Sequence, residues 1–233
     1  MKKFLMIAAA LAALIFGTIA SAQTQINQAN IGSFPYTITK PGSYILTSNL
    51  VVTTAAADAI DISASNVTLN LNGFSITGAV NCNQTSCNPT GYGYGVDAWG
   101  SNVTIENGSI SGFYECVYSR YNNIHDLFIS NCGYGIDASY ASIRHNIISN
   151  IYYWPVNGYM STVSDNTVIF SNNGIYGYRS TVQNNVANGD GAYGIFINGG
   201  TAANNTVMGN TTDLYLVNNA VSTKSNGCTA GAC

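Results

Sequence analysis

The chain repeats itself about every 20 residues, and that period constrains its fold more than any other feature. One apolar position recurs at Val96, Val117, Ile136, Val156, Ile175, Ile195 and Leu214, at intervals of 21, 19, 20, 19, 20 and 19. A second recurs in the same phase at Val103, Ile124, Ile143, Val163, Val182 and Ala202, at intervals of 21, 19, 20, 19 and 20. Such a period marks a solenoid, in which each unit buries its apolar face only against its neighbours. Upstream, Ile60 and Val67 precede Val96 and Val103 by 36 residues each, one further repeat enlarged by an insertion near 79–92.

Each repeat holds short β-branched runs between Asn, Gly and Ser clusters, too short and too strand-like for helices. Three short strands per coil fit, giving an all-β parallel β-helix of about eight coils. Coils stacked about 4.8 Å apart place residues one period apart above one another, so Ile and Val columns fill the interior of a rod about 40 Å long. A polar column keeps the same register: Asn146, Asn166, Asn185 and Asn205, at intervals of 20, 19 and 20. Asn tolerates the left-handed backbone of sharp corners, and stacked carboxamides bond one another, so this column is expected to be structural.

The first 22 residues read as a secretory signal of bacterial type. Lys2 and Lys3 form its basic end, Phe4 to Ala20 its apolar run, and Ala20-Ser21-Ala22 a small-residue cleavage site before Gln23. The remaining 211 residues suit one domain with no membrane insertion after cleavage. Five basic residues, Lys40, Arg120, Arg144, Arg179 and Lys224, then stand against ten acidic ones, a formal charge of −5. That balance disfavours nucleic acid, whose binding is driven by clustered Lys and Arg. The six cysteines are an even set for an oxidising compartment, secreted, periplasmic or at the cell surface. Fifteen connectivities are open. The local pairs Cys82–Cys87 and Cys228–Cys233 each close a short polar loop, which leaves Cys116 with Cys132.

The stretch T-I-T-K-P-G-S-Y-I-L-T-S-N-L from Thr37, followed by A-I-D-I-S-A-S-N-V-T-L-N-L-N-G-F-S-I-T-G ending at Gly78, resembles the first coils of bacterial right-handed β-helix repeat proteins of the pectate-lyase-like superfamily. The resemblance runs as degenerate repeats to about residue 218. It implies a right-handed parallel β-helix over 59–218, an N-terminal cap and first coil over 23–58, and a C-terminal cap over 219–233. It does not imply one activity, because that superfamily includes lyases, hydrolases, epimerases and adhesins. Capping is needed because an open coil end is an unpaired strand edge.

Strand alternation sends the first ladder residue inward and the residues one and three later outward. The outward pairs are Asp61/Ser63, Asp97/Trp99, Tyr118/Arg120, Asp137/Ser139, Asn157/Tyr159, Tyr176/Tyr178, Phe196/Asn198 and Tyr215/Val217. Aromatic rings stack on sugar faces while Asp, Asn and Arg bond hydroxyls, so Asp97, Trp99, Tyr118, Arg120, Tyr159, Tyr176 and Tyr178 are candidate contacts for a polysaccharide or cell-surface glycan. The alternative is a tyrosine-covered sheet that is simply stiff, as in a structural or adhesive module. Asp61 and Asp97 fall one coil apart, and either a shared proton or a Ca²⁺ ion would relieve their repulsion.

The activities implied by the resemblance can be set against these residues. No N-T-D or G-H-G of galacturonan hydrolases occurs, and His125 and His145 lie in I-H-D and R-H-N. Pectate lyases use an arginine beside calcium-binding acids, to which Arg120 with Asp61, Asp97 and Asp137 is a partial parallel. The epimerase pattern Y-G-[FI]-D-P-H-D survives as Y-G-I-D at Tyr134 to Asp137, with Ala138 and Ser139 in place of Pro and His. No catalytic motif is complete; an enzyme here would be a polysaccharide lyase or epimerase with a non-standard site. Ice binding needs a flat threonine array, and the outward pairs contain no Thr.

Overall fold

The computed structural model describes residues 23–88, 91–223 and 226–229; the expected signal segment, 1–22, lies outside them. The chain winds as a right-handed parallel β-helix of about ten turns, all β, its strands forming three parallel sheets. The first sheet repeats the first ladder: Val96 pairs with Ile60 and Val117, and Val117, Ile136, Val156, Ile175, Ile195 and Leu214 follow in register. Apart from Leu214, 8% exposed, all are fully buried. The count exceeds eight because in-register strands continue at both ends: Thr24–Ile26 pairs with Gly42–Leu46, and Val221–Ser222 and Gly227–Cys228 stack on the coil before them.

The second ladder requires one correction. Ile124 stacks on Ile105, not on Val103. Val103 and Ile105 both point inward on one strand, so period alone cannot choose between them. The corner after Val117 is two residues shorter than the corner after Val96. From Ile124 onward the order Ile143, Val163, Val182, Ala202 stands as expected.

Most corners turn on one left-handed residue, and a few on two in succession, such as Asn72 and Gly73. At the corner after the first sheet the turning residues are Asn66, Asn102, Tyr121, Tyr140, Met160, Arg179, Gly199 and Asn218. The ladder asparagines are not themselves left-handed, contrary to expectation; the residues before them are, namely His145, Asp165, Asn184 and Asn204. The left-handed residue turns the chain, and its successor points into the core. That successor also solves a backbone problem, because a turned backbone cannot offer its carbonyl to the coil stacked on it. Asn146 N–H donates to Asn166 Oδ1, Asn166 N–H to Asn185 Oδ1, Asn185 N–H to Asn205 Oδ1 and Asn205 N–H to Asn226 Oδ1, each at 2.9–3.0 Å.

The other two corners use the same device with other side chains. Ser161 N–H donates to Ser180 Oγ, and Ser171 N–H to Asp190 Oδ1, at 3.0 Å each. Asp190 N–H in turn donates to Asn210 Oδ1.

Disulfides join Cys82 to Cys87 and Cys116 to Cys132. Cys228 is also disulfide-bonded, and its expected partner Cys233 lies outside the described residues. The Cys116–Cys132 bridge is fully buried and ties two successive coils. Within the insertion, Asn81–Cys82 and Cys87–Asn88 form an antiparallel hairpin. Among the described residues no helix is long and apolar enough to cross a membrane.

Candidate functional site

The outward columns of the first sheet match the expected pairs. Asp61, Asp97, Tyr118, Asp137, Asn157, Tyr176, Phe196 and Tyr215 form one column. Arg120, Ser139, Tyr159, Tyr178 and Asn198 form the next.

Four candidates meet in one cluster. Trp99 Nε1–H donates to Asp97 Oδ2 at 2.8 Å, and the Trp99 and Tyr118 rings lie 5.2 Å apart. The Arg120 guanidinium sits 5.2 Å from the Trp99 ring centre and donates through Nη2 to the Tyr118 hydroxyl at 3.1 Å. Cation–π contact and hydrogen bonds thus hold a half-exposed indole in place. Tyr159 and Tyr178 stack at 4.8 Å farther along the rod, with Arg179 over Tyr178. Tyr176 packs separately, against Trp154 and Phe196.

The residues two before each ladder position form a further column beside these, because strict alternation breaks there: Cys116 and Val117 are buried in succession, as are Gly95 and Val96. This column carries Tyr94, Glu115 and Tyr134 in register, and Asp58 accepts the Tyr94 N–H at 2.7 Å. Asp58, Asp61, Asp97, Glu115 and Asp137 therefore crowd four successive coils. Burial, reinforced by Asp58 and Asp97, raises the Asp61 carboxyl to about 6. Burial, reinforced by Asp137 and Asp97, raises Glu115 to about 7. Asp97 is raised by burial despite the Trp99 bond, and Asp137 by burial despite Asn157 and Arg120. Asp61 Oδ1, Asp97 Oδ1 and Glu115 Oε2 are buried without a hydrogen-bond partner. Tyr94 and Tyr134, desolvated beside these acids, are pushed up to about 12.

Two other features lie off this face. His125, with Glu106 and Asp126, belongs to the second sheet and its corner. The hairpin of the insertion does not wall the Asp61–Arg120 face. It leans along the turns that lead into the first sheet, where Gln84 Nε2 donates to the Ser171 carbonyl, and it closes a cleft of about 310 Å³ lined by Tyr92, Tyr114, Tyr152 and Tyr153 among others. Tyr114 also touches Tyr134, so the cleft borders the acidic row. Among the described residues no group of three or more His, Cys, Asp or Glu side chains could hold a metal ion.

The second sheet carries an outward hydroxyl column the first lacks, with Thr68, Thr104, Ser142, Thr162, Thr181 and Thr201 broken by Asn123. Its neighbouring column holds Glu106, His125 and Arg144, which breaks any regular array.

Two further rings extend the aromatic edge. Tyr121 and Tyr140 stack at 4.8 Å and 8°, and Tyr140 meets Tyr159. Both hold left-handed backbone at a corner where four other coils place Asn or Gly, and two place Met160 and Arg179. A bulky residue there costs about 1–2 kcal/mol. The face thus offers flat rings, a caged cation and half-buried carboxylates along the rod axis, a surface suited to a long polar chain with apolar faces. No protein-family model, curated protein or solved structure matches the chain.

Proposed function

We propose that this is an exported β-helix protein that binds a polysaccharide or cell-surface glycan lengthwise on its first sheet. The observation that carries the reading is the Asp97–Trp99–Tyr118–Arg120 cluster, in which an indole 57% exposed is held rigid by its neighbours. Rigid aromatics give contact area with little ordering cost, and they carry disproportionate binding energy. The disulfides fit an oxidising compartment.

The protein should be passed over a panel of immobilised polysaccharides while product release is followed by unsaturated-product absorbance. Retention without product is the expected result. Against a retained glycan, Trp99→Ala should lose more than about 1 kcal/mol of affinity with the fold intact. Equal affinity would place the site elsewhere, first at Tyr159, Tyr176 and Tyr178. A second reading, a lyase or epimerase, rests on Glu115, whose carboxyl stands near neutrality as a general acid or base requires. Product formation lost in Glu115→Gln would select it.

A further inference from the structure

The acidic row is short of positive charge. Every charged group acting on Asp61 and Glu115 is another carboxylate, and Arg120 acts on Asp137 at the row's far end. Of the four buried side-chain oxygens without a partner among the described residues, three lie here, on Asp61, Asp97 and Glu115. Glu115 is 9% exposed and packed between Tyr94 and Tyr134 on the neighbouring strands. Buried acceptors ordinarily find donors, so three orphans on one exposed sheet face mark a place where a ligand supplies them.

The spacing says what kind. The three oxygens belong to three successive coils, spread over about 10 Å, too far for one ion to span. Among the described residues no group of three or more His, Cys, Asp or Glu side chains could hold a metal ion. A ligand with donors repeated at intervals along the rod fits better. Tyr118, between Asp97 and Asp137 in the column, and Trp99 beside it supply faces for sugar units. A polyuronate would set its own carboxylates against the row and be repelled.

We infer that the row selects a glycan bearing free amino groups, a hexosamine polymer without N-acetylation, over neutral and uronic-acid chains. Each ammonium donates up to three hydrogen bonds and offsets the mutual repulsion of the carboxylates. This rests on the glycan reading above and adds the charge of the sugar. Binding should release protons, because an ammonium beside Glu115 favours its ionised form.

The test is calorimetric titration of the whole protein with three hexamers, of glucosamine, N-acetylglucosamine and galacturonate. It is run slightly below neutral pH and at about 0.15 M salt, which screens charges beyond about 8 Å. The glucosamine hexamer should bind at least about ten-fold tighter than the other two. Glu115→Gln and Asp97→Asn should remove most of that preference, while Asp165→Asn, an exposed acid off the row, should leave it unchanged. Glu115→Gln removes a buried charge and should fold at least as well as the parent.

If the hexamers bind equally, if galacturonate binds best, or if Asp165→Asn matters as much as Glu115→Gln, the inference is overturned while glycan binding survives. A calcium-dependent gain in melting temperature lost in Asp97→Asn would overturn it in favour of an ion site. If none of the hexamers binds and no polysaccharide of the panel is retained, both readings fall.

Discussion

Asn166→Leu should lower the melting temperature by about 6–12 °C. Asn166 is 1% exposed and sits in the middle of the amide column. Its Oδ1 accepts from the backbone and the carboxamide of Asn146, and its Nδ2 donates to Ile143 O, Ser164 O and Asn185 Oδ1. Leucine fills similar space but strands these groups in the dry core, and each stranded group costs about 1–3 kcal/mol. Even with local relaxation the sum should exceed about 3 kcal/mol, and a domain of this size loses about 2–4 °C per kcal/mol. Asn166→Ser should recover part of the loss, since Ser161 and Ser180 hold the equivalent bond at another corner. Calorimetry of the two variants beside the parent decides it; an unchanged transition for the leucine variant would mean the column contributes nothing.

Asp190→Asn should stabilise the protein, and by more as the pH rises. Asp190 does the work of a ladder asparagine: its Oδ1 takes the Ser171 N–H, but its Oδ2, buried, has no partner. Burial raises its carboxyl from 3.8 to about 8. The folded protein therefore keeps this proton through the window from about pH 4 to about pH 8 while the unfolded chain gives it up. Stability is highest below about pH 4 as far as this group is concerned, falls through the window and levels off above about pH 8. Asparagine keeps the acceptor, as Asn210 does one coil later, and removes the titration. The expected gain at pH 8 is about 2–6 kcal/mol, the upper end being the whole shift from 3.8 to about 8 at about 1.4 kcal/mol per pH unit. Denaturant unfolding at several pH values should show two curves that converge in acid and diverge toward pH 8. Parallel curves would show that Asp190 does not titrate as its burial requires.

The apolar columns were legible in the sequence because a solenoid reuses one environment, so Ile and Val recur where the core recurs. The step from Val103 was misread for a local reason: Val103 and Ile105 are equally good core residues two apart, and only the length of the corner separates them. The structural asparagines were legible as a column, but which residue takes the left-handed turn was not. The turn falls on His145 and Asp165, and since His and Asp tolerate the left-handed region as Asn does, residue type does not separate them from the asparagines that follow.

The candidate face was partly legible. Asp97, Trp99, Tyr118 and Arg120 do come together. Glu115 and Asp58 were missed because alternation applied backward from Val117 and Ile60 sends both inward, and nothing in the sequence announces that it breaks at the buried pairs Cys116–Val117 and Ala59–Ile60. Carboxylates in that position mattered more than those counted. The course of the insertion was not legible. Its hairpin is held by single contacts such as Gln84 to Ser171, 87 residues apart, which no period announces.

From Asn146 onward the bonds of the amide and serine columns run one way: the earlier coil donates its N–H and the later coil's side chain accepts. In that part of the rod a coil is chemically complete only once its successor is in place, and each junction of the amide column presents a backbone N–H donor to an Asn carboxamide acceptor. A tandem duplication of residues 166–184 would begin with an asparagine that satisfies the coil before it and end facing an asparagine that satisfies its own. Gene-level lengthening by whole coils thus needs no new end chemistry, and each added unit carries another Tyr176 and Tyr178 onto the outer face. The molecule's length is a quantity its architecture leaves free to vary, and the reach of its ligand surface varies in step.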